Sequence, residues 1–256
     1  MEREWLIIPD YGRLRESEEL SERYGTGFEY NDFFEPAIYS DEAEIKKRIA
    51  LYKGLLRDRS RDTLHGAFYD ISIASSDEFI RKYSWEKAEQ SVRIAEELGV
   101  KGVVFHTGLI GGLDGEGYIG NWLDRAEELF SVLLDKYSST ELYMENTFEK
   151  TPSALLRLGE RLQCHKRFSL CLDYGHACLT ETPPEKWVRH MSGSIGHIHL
   201  NDNDLCTDGH LVPGDGRIDI KQFMLYLEKY GINAPILLEV SGIEKQKRAL
   251  EYMTAL

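Results

Sequence analysis

Eight short apolar runs, spaced fairly regularly and separated by helical patterns, constrain this chain more than any other feature. They are WLIIP (5–9), GFEYN (27–31), TLHGAF (63–68), GVVFH (102–106), LYMEN (142–146), FSLCLD (168–173), GHIHL (196–200) and ILLEV (236–240). Several are nearly continuous in apolar residues, as parallel strands covered by helices are. Eight alternations in 256 residues, with no linker and no low-complexity stretch, predict one domain over 1–256. The fold class is α/β, a single (β/α)8 barrel rather than a doubly wound sheet.

The helical patterns carry their own punctuation. SWEKAEQSVRIAEELGV puts Ala88, Val92, Ala95 and Leu98 on one face, with Ser84 as the expected N-cap and Gly99 as the stop. WLDRAEELFSVLLDKY, KTPSALLRLGERL, PPEKWVRHM, IKQFMLYLEKYG and EKQKRALEYMTAL read similarly. The basic run KKRIALYKGLLRDRSR reads as a solvated helix face that complements the dipole. Long loops are expected after strands 2, 4 and 7. GLIGGLDGEGYIG after strand 4 contains a formal GxGxxG, but it begins several residues beyond its strand and outside any Rossmann unit, so it reads as a mobile lid or substrate loop. VPGDGRID after strand 7 offers backbone amides near a helix start, an expected anion site that Asp215 weakens.

Nine metal-binding side chains stand out, His65, His106, Glu145, Asp173, His176, His199, Asp208, His210 and Glu239, and seven of them close one of these runs or follow within a few residues. A closed parallel barrel brings residues so far apart in sequence to one mouth. Glu145, Asp173, His199 and Glu239 finish strands 5 to 8. Three carboxylates and an imidazole suit a divalent ion of the Mn, Zn, Co or Mg kind with open positions, and burying the carboxylates without a cation is costly. The five other residues extend the site towards additional metal or substrate, with room for more than one zinc. His197, two residues before His199, points to the same side one layer deeper and reads as structural. His165 and His190 read as surface residues. Cys206, between His199 and Asp208, reads as a bystander.

A formal net charge of −13 argues against a nucleic-acid partner. No window approaches a membrane span, and the charged start lacks the apolar core of a signal peptide. Four cysteines without a CxxC pair read as reduced thiols of a cytoplasmic protein.

The segments LHGAFYD, FHTG, YMENT, CLDYGHA, HIHLNDND, DGHLVPGDGRID and LLEV run from strand 3 to strand 8. Together they resemble the xylose-isomerase-like barrel superfamily, which holds sugar and sugar-phosphate isomerases and epimerases and the endonuclease IV type of abasic-site nuclease. The resemblance implies metal ligation by Glu145, Asp173, His199 and Glu239. In the nuclease branch it implies three zincs held by all nine residues, Asp208-Gly-His210 included. The expected function is a metal-dependent isomerase or epimerase of a small sugar or sugar phosphate, with Glu145 and Glu239 moving the proton beside the carbonyl. His176 would orient the substrate or complete the metal shell. The arginine that tagatose-type epimerases place after the strand-7 histidine is replaced here by Leu205-Cys206-Thr207. The alternatives are an endonuclease IV-like phosphodiesterase at abasic sites and a non-catalytic metal-binding barrel. Against the nuclease stands the acidic segment EYNDFFEP after strand 2. A small-molecule sugar is the expected partner, and a homo-oligomer is left open.

Overall fold

The computed structural model describes residues 3–256. Eight parallel strands close in sequence order into a barrel. They are β1 (Trp5–Ile7), β2 (Gly27–Tyr30), β3 (Thr63–His65), β4 (Gly102–His106), β5 (Glu141–Glu145), β6 (Phe168–Asp173), β7 (Ile195–Leu200) and β8 (Ile236–Leu238). The closure pairs Trp5 with Ile236 and Leu6 with Leu237. Around them lie α1 (Leu14–Tyr24), α2 (Pro36–Tyr39), α3 (Glu42–Gly54), α4 (Glu78–Leu98), α5 (Glu116–Lys136), α6 (Ser153–Arg161), α7 (Tyr174–Cys178), α8 (Pro184–Met191), α9 (Ile220–Lys229) and α10 (Ile243–Thr254). The expected (β/α)8 barrel is therefore the observed fold. Among the described residues no helix is long and apolar enough to cross a membrane.

The side chains divide by face. One apolar core fills the layer between sheet and helices, while Val104, Tyr143 and Cys171 form a separate small cluster. Period-two alternation along the strands puts Glu145 above Tyr143, Asp173 above Cys171 and His199 above His197. Gly102 leaves room for the Tyr143 ring, since a Cβ there would lie 2.6 Å from it.

Several boundaries depart from expectation. β3 stops at His65, and β8 stops at Leu238, so Glu239 sits just beyond it. α4 begins six residues before Ser84, because Asp77 caps it through the amides of Phe79 (2.8 Å) and Ile80 (3.3 Å). Ser84 is instead a buried tie. Its hydroxyl donates to the Ile80 carbonyl (2.8 Å) and accepts from the Ser72 amide (2.8 Å). Gly99 ends that helix as expected, in the left-handed region at φ 73°. Within the loop after β4, Gly115 is the N-cap of α5 and the residues that follow it in GEGYIG form the start of that helix. The basic run is only partly a solvated face. Arg48 pairs with Asp32 and lies 4.0 Å from the Tyr11 ring, and Arg57 reaches the buried Asp62 at 2.8 Å.

Candidate metal centre

All nine expected donors converge at the C-terminal mouth of the barrel. His65, His106 and Glu145 end their strands and Asp173 ends β6; His199 lies one residue before the end of β7. Glu145 is the hub. Its Oε2 lies 3.5 Å from His65 Nε2, 3.5 Å from His106 Nε2 and 3.4 Å from His199 Nδ1. Its Oε1 lies 3.6 Å from His176 Nδ1. His199 Nδ1 is also 3.5 Å from Glu239 Oε2, which places both glutamates beside one nitrogen. His176 Nε2 and His210 Nε2 flank Asp208 Oδ2 at 3.1 and 3.2 Å.

The backbone orients the imidazoles. His65 Nδ1–H donates to the Gly66 carbonyl (3.0 Å), His176 Nδ1–H to Asn146 (2.9 Å) and His210 Nδ1–H to Glu239 (3.0 Å). Each therefore turns Nε2 towards a carboxylate of the cluster, Glu145 for His65 and Asp208 for His176 and His210. Metal-ligating histidines carry this pattern, with the second nitrogen tied to an outer partner.

The electrostatics of the cluster call for cations. Both oxygens of Glu145, Asp173 Oδ2, Glu239 Oε2 and His199 Nδ1 are buried with no hydrogen-bond partner. Orphaned polar atoms of this kind are expensive. Burial pushes the Asp173 carboxyl up to about 7, with Glu239 and Glu145 adding to the rise and His176 opposing it. Burial alone would also raise Glu145, but His199 and His106 outweigh it and hold that carboxyl well below its ordinary value. The donor chemistry, nitrogen and carboxylate oxygen without thiolate at the mouth, fits divalent ions. Two separate trios have ligand atoms within 4.8 Å of one another: His65, His106 and Glu145, and His176, Asp208 and His210. His199 and Glu239 form a third with His65.

The sequence reading missed four features. Glu29, on β2, is fully buried inside the barrel, with Oε1 3.0 Å from His199 Nε2 and Oε2 2.9 Å from His197 Nε2. Its hydrogen bond to His197 gives that residue the structural role expected of it, and its other oxygen places a negative charge directly behind His199. A charge within the apolar run GFEYN was the available signal. Glu29→Gln should lower metal affinity about 10–100-fold with the fold retained, as loss of an outer partner does; equal metal titrations for the variant and the parent protein would contradict this role. Cys171 lies buried beside Glu145 and His199. The loop after β3, which was not among the expected long loops, carries Phe68 and Tyr69. Phe68 stacks on His106 at 4.2 Å between ring centroids and packs against Phe34 at 4.7 Å.

The fourth is Asp202, which corrects the expected anion site. Its buried carboxylate already accepts the amides of Asn203 (2.8 Å), Gly214 (2.9 Å), Gly216 (3.0 Å) and Ile218 (3.0 Å). The amides of VPGDGRID thus serve an internal carboxylate and shape the loop that carries Asp208 and His210. EYNDFFEP is likewise less acidic at the surface than its sequence: Glu29 is interior, Asp32 is paired with Arg48, and only Glu35 is exposed. Cys206, His190 and His165 lie away from the cluster; Cys206 and His190 are exposed and His165 is half-buried.

A cavity of about 560 Å³ opens above the cluster. His65, His106, His176, Asp208, His210 and Glu239 face it together with Phe34, Phe68, Tyr69 and Phe148. Glu145 does not line it, and neither does any lysine or arginine.

Residues 21–256 match the family described as xylose isomerase-like TIM barrel. The uncharacterized protein MJ1311 of Methanocaldococcus jannaschii is 29% identical over 213 residues, 77% of this chain and 71% of that protein. A probable endonuclease 4 of Aquifex aeolicus is 25% identical over 215 residues, covering 72% of each. Among solved structures, a D-tagatose 3-epimerase-like protein superposes with a TM-score of 0.74 at 24% identity, covering 90% of this chain and 87% of its own. At that identity the likeness concerns the fold.

Proposed function

The chain belongs to the xylose isomerase-like TIM barrel family, and from that premise we propose that it is a metal-dependent enzyme, one catalytic domain, that hydrolyses a phosphoester bond at a multinuclear centre. One observation carries this reading: nine donors converge, and six of them form two separate trios, His65, His106 and Glu145, and His176, Asp208 and His210, which is more than the shell of one ion needs. A lone ion needs four of them, which leaves His65, His106, His176, Asp208 and His210 without a purpose. Divalent ions held by these residues would polarise a phosphoryl oxygen and lower the pKa of a water, the chemistry such hydrolysis needs. The residues divide the work by depth. Glu145, enclosed by four imidazoles, supplies charge and does not meet substrate. Asp208 and His210 stand at the mouth, 29% and 38% exposed, where an entering or leaving oxygen passes. The relatives named as probable endonuclease 4 support the same chemistry.

A second reading is an isomerase or epimerase of a small sugar, and two observations favour it. Glu145 and Glu239 both stand beside His199 Nδ1, so that with Asp173 they could supply one ion's shell, and Glu239 faces the cavity, where it could act as a base. Since Glu145 does not, one base would serve, which suits transfer along one face of an enediolate better than inversion. With no lysine or arginine in the lining, an uncharged sugar suits this reading better than a sugar phosphate.

Metal analysis combined with three assays separates the readings. The protein is loaded with Zn²⁺ or Mn²⁺ and offered bis(4-nitrophenyl) phosphate, a ketose panel in deuterated water, and a duplex bearing an abasic site. We expect two or more ions per chain, release of nitrophenolate, and weak duplex affinity at physiological salt, because the −13 charge opposes a polyanion. One ion per chain with deuterium entering a ketose would replace the hydrolase by the isomerase. Tight, salt-sensitive binding and cleavage of the duplex would make DNA the substrate.

A further inference from the structure

We propose that a cavity of about 250 Å³ beside the metal centre, between the loop after β4 and the start of α6, is a second binding site, one that takes a flat, uncharged aromatic part of the substrate. The proposal rests on the hydrolase reading for the identity of the reacting end.

Three observations point there. Phe148 walls both this cavity and the one above the metal centre, and its ring centroid lies 6.3 Å from that of the ligand His176. A molecule held at the metal centre therefore reaches the side cavity by passing one ring. Second, the walls are apolar and open to solvent: Ile110, Leu113 and Phe148, which line the cavity together, are 62%, 50% and 66% exposed. Clustered exposure of this kind marks a binding surface more often than scattered apolar residues do.

Third, the charges are already spent. Lys150 pairs with Asp114 at 2.9 Å and Arg157 with Glu116 at 3.2 Å. The Glu149 carboxylate is taken up by the Thr147 amide (2.7 Å) and the Thr107 hydroxyl. Both cations in the lining already face a carboxylate, and three acidic against two basic side chains leave the rim net negative, which disfavours an anion. What the site offers is one ring face, aliphatic walls and the hydroxyls of Thr151 and Ser153 at its edge. A heteroaromatic ring with polar edges, such as a nucleobase, matches that chemistry. The volume falls just below the ~300–1,000 Å³ of drug-sized pockets, which suits a fragment rather than a whole substrate.

The test compares two phosphates that differ only by the base, adenosine 5′-monophosphate and ribose 5-phosphate. Their affinities for the metal-loaded protein are measured by calorimetry, with adenosine alone followed by saturation-transfer NMR. The parent protein should bind the nucleotide at least about tenfold more tightly than the sugar phosphate, a difference of ~1.4 kcal/mol. Leu113→Asp and Ile110→Asp, both on exposed positions outside the metal cavity, should each erase that preference without altering ribose 5-phosphate binding or metal content. The adenosine signal should vanish in the same variants. Equal affinities in the parent protein with no adenosine signal, or a preference that survives both substitutions, would overturn the proposal. A base preference without any hydrolysis would keep this site and refute the hydrolase reading, so the two fail separately.

Discussion

Asp173→Asn should remove the ion at the strand ends and reduce activity by ~10³-fold, more than the 10–100-fold typical of losing an outer partner. The argument starts from charge. Asp173 is fully buried, between Glu145 and Glu239, and in the absence of a cation its carboxyl is pushed up to about 7 by burial and by those two neighbours. An ion relieves that cost, and it is held in turn by the charge. Asparagine keeps the shape and keeps the Oδ1 acceptor that receives the His176 amide at 2.6 Å, so α7 retains its cap. It loses only the charge and the acceptor Oδ2, which is buried without a hydrogen-bond partner. The signature is therefore paired. The metal-free variant should melt at or above the metal-free parent, because one of three crowded carboxylates is gone. The stabilisation that metal confers on the parent, about 2.7 kcal/mol at a hundredfold excess over Kd, should shrink sharply. In a chain of this size that corresponds to a loss of roughly 5–10 °C of metal-induced shift. Calorimetry with and without chelator, alongside elemental analysis, measures both. A variant that binds and responds to metal like its parent would remove Asp173 from the centre.

The strand-end donors were legible because a parallel barrel maps the last residue of each apolar run onto one rim, whatever lies between. Glu145, Asp173 and His199 needed no knowledge of the helices to be placed. What was hidden depended on non-local partners. Glu29 lies within the strand run GFEYN, but strands covered on both faces show no clear alternation, and only the closed barrel reveals that it points at His199 and His197. Ser84 reads as a cap because the first turns of α4 expose Phe79 and Ile80, which blurs the amphipathic stripe where Asp77 in fact begins it. The amides of VPGDGRID read as an anion site, correctly as donors. Their acceptor is Asp202, more than ten residues upstream, and no local pattern names it. The separation of Glu239, which faces the cavity, from Glu145, which does not, is likewise a matter of depth within one layer.

Asp202→Ala should collapse the loop after β7 while leaving the barrel folded. The Asp202 carboxylate accepts four amides, and Asp202 also pairs by two backbone hydrogen bonds with Leu211, directly after His210. Gly216 fits so closely that a Cβ would lie 2.3 Å from Asp202 Oδ1, evidence that the loop is built around this group. Removing the acceptor leaves several donors unpaired in a partly buried loop, at about 1–3 kcal/mol for each that water does not reach. A net loss of about 2–4 kcal/mol is expected, with faster hydrogen exchange at the Gly214, Gly216 and Ile218 amides. Asp202→Asn should fare little better, since its NH2 would face the amides of Gly214 and Gly216 as donor against donor. The consequence for function is selective. Asp208 and His210 ride on this loop, whereas Glu145, Asp173, His199 and Glu239 are held by strands. The variant should lose the ion bound by His176, Asp208 and His210 and keep the one at the strand ends, so metal content falls by about one per chain. A protein that lost all its metal would mean that the loop closes the entire centre rather than one trio. Unchanged content and unchanged amide protection would show that Asp202 does not organise the loop, and the outer trio would then owe its geometry to the metal itself.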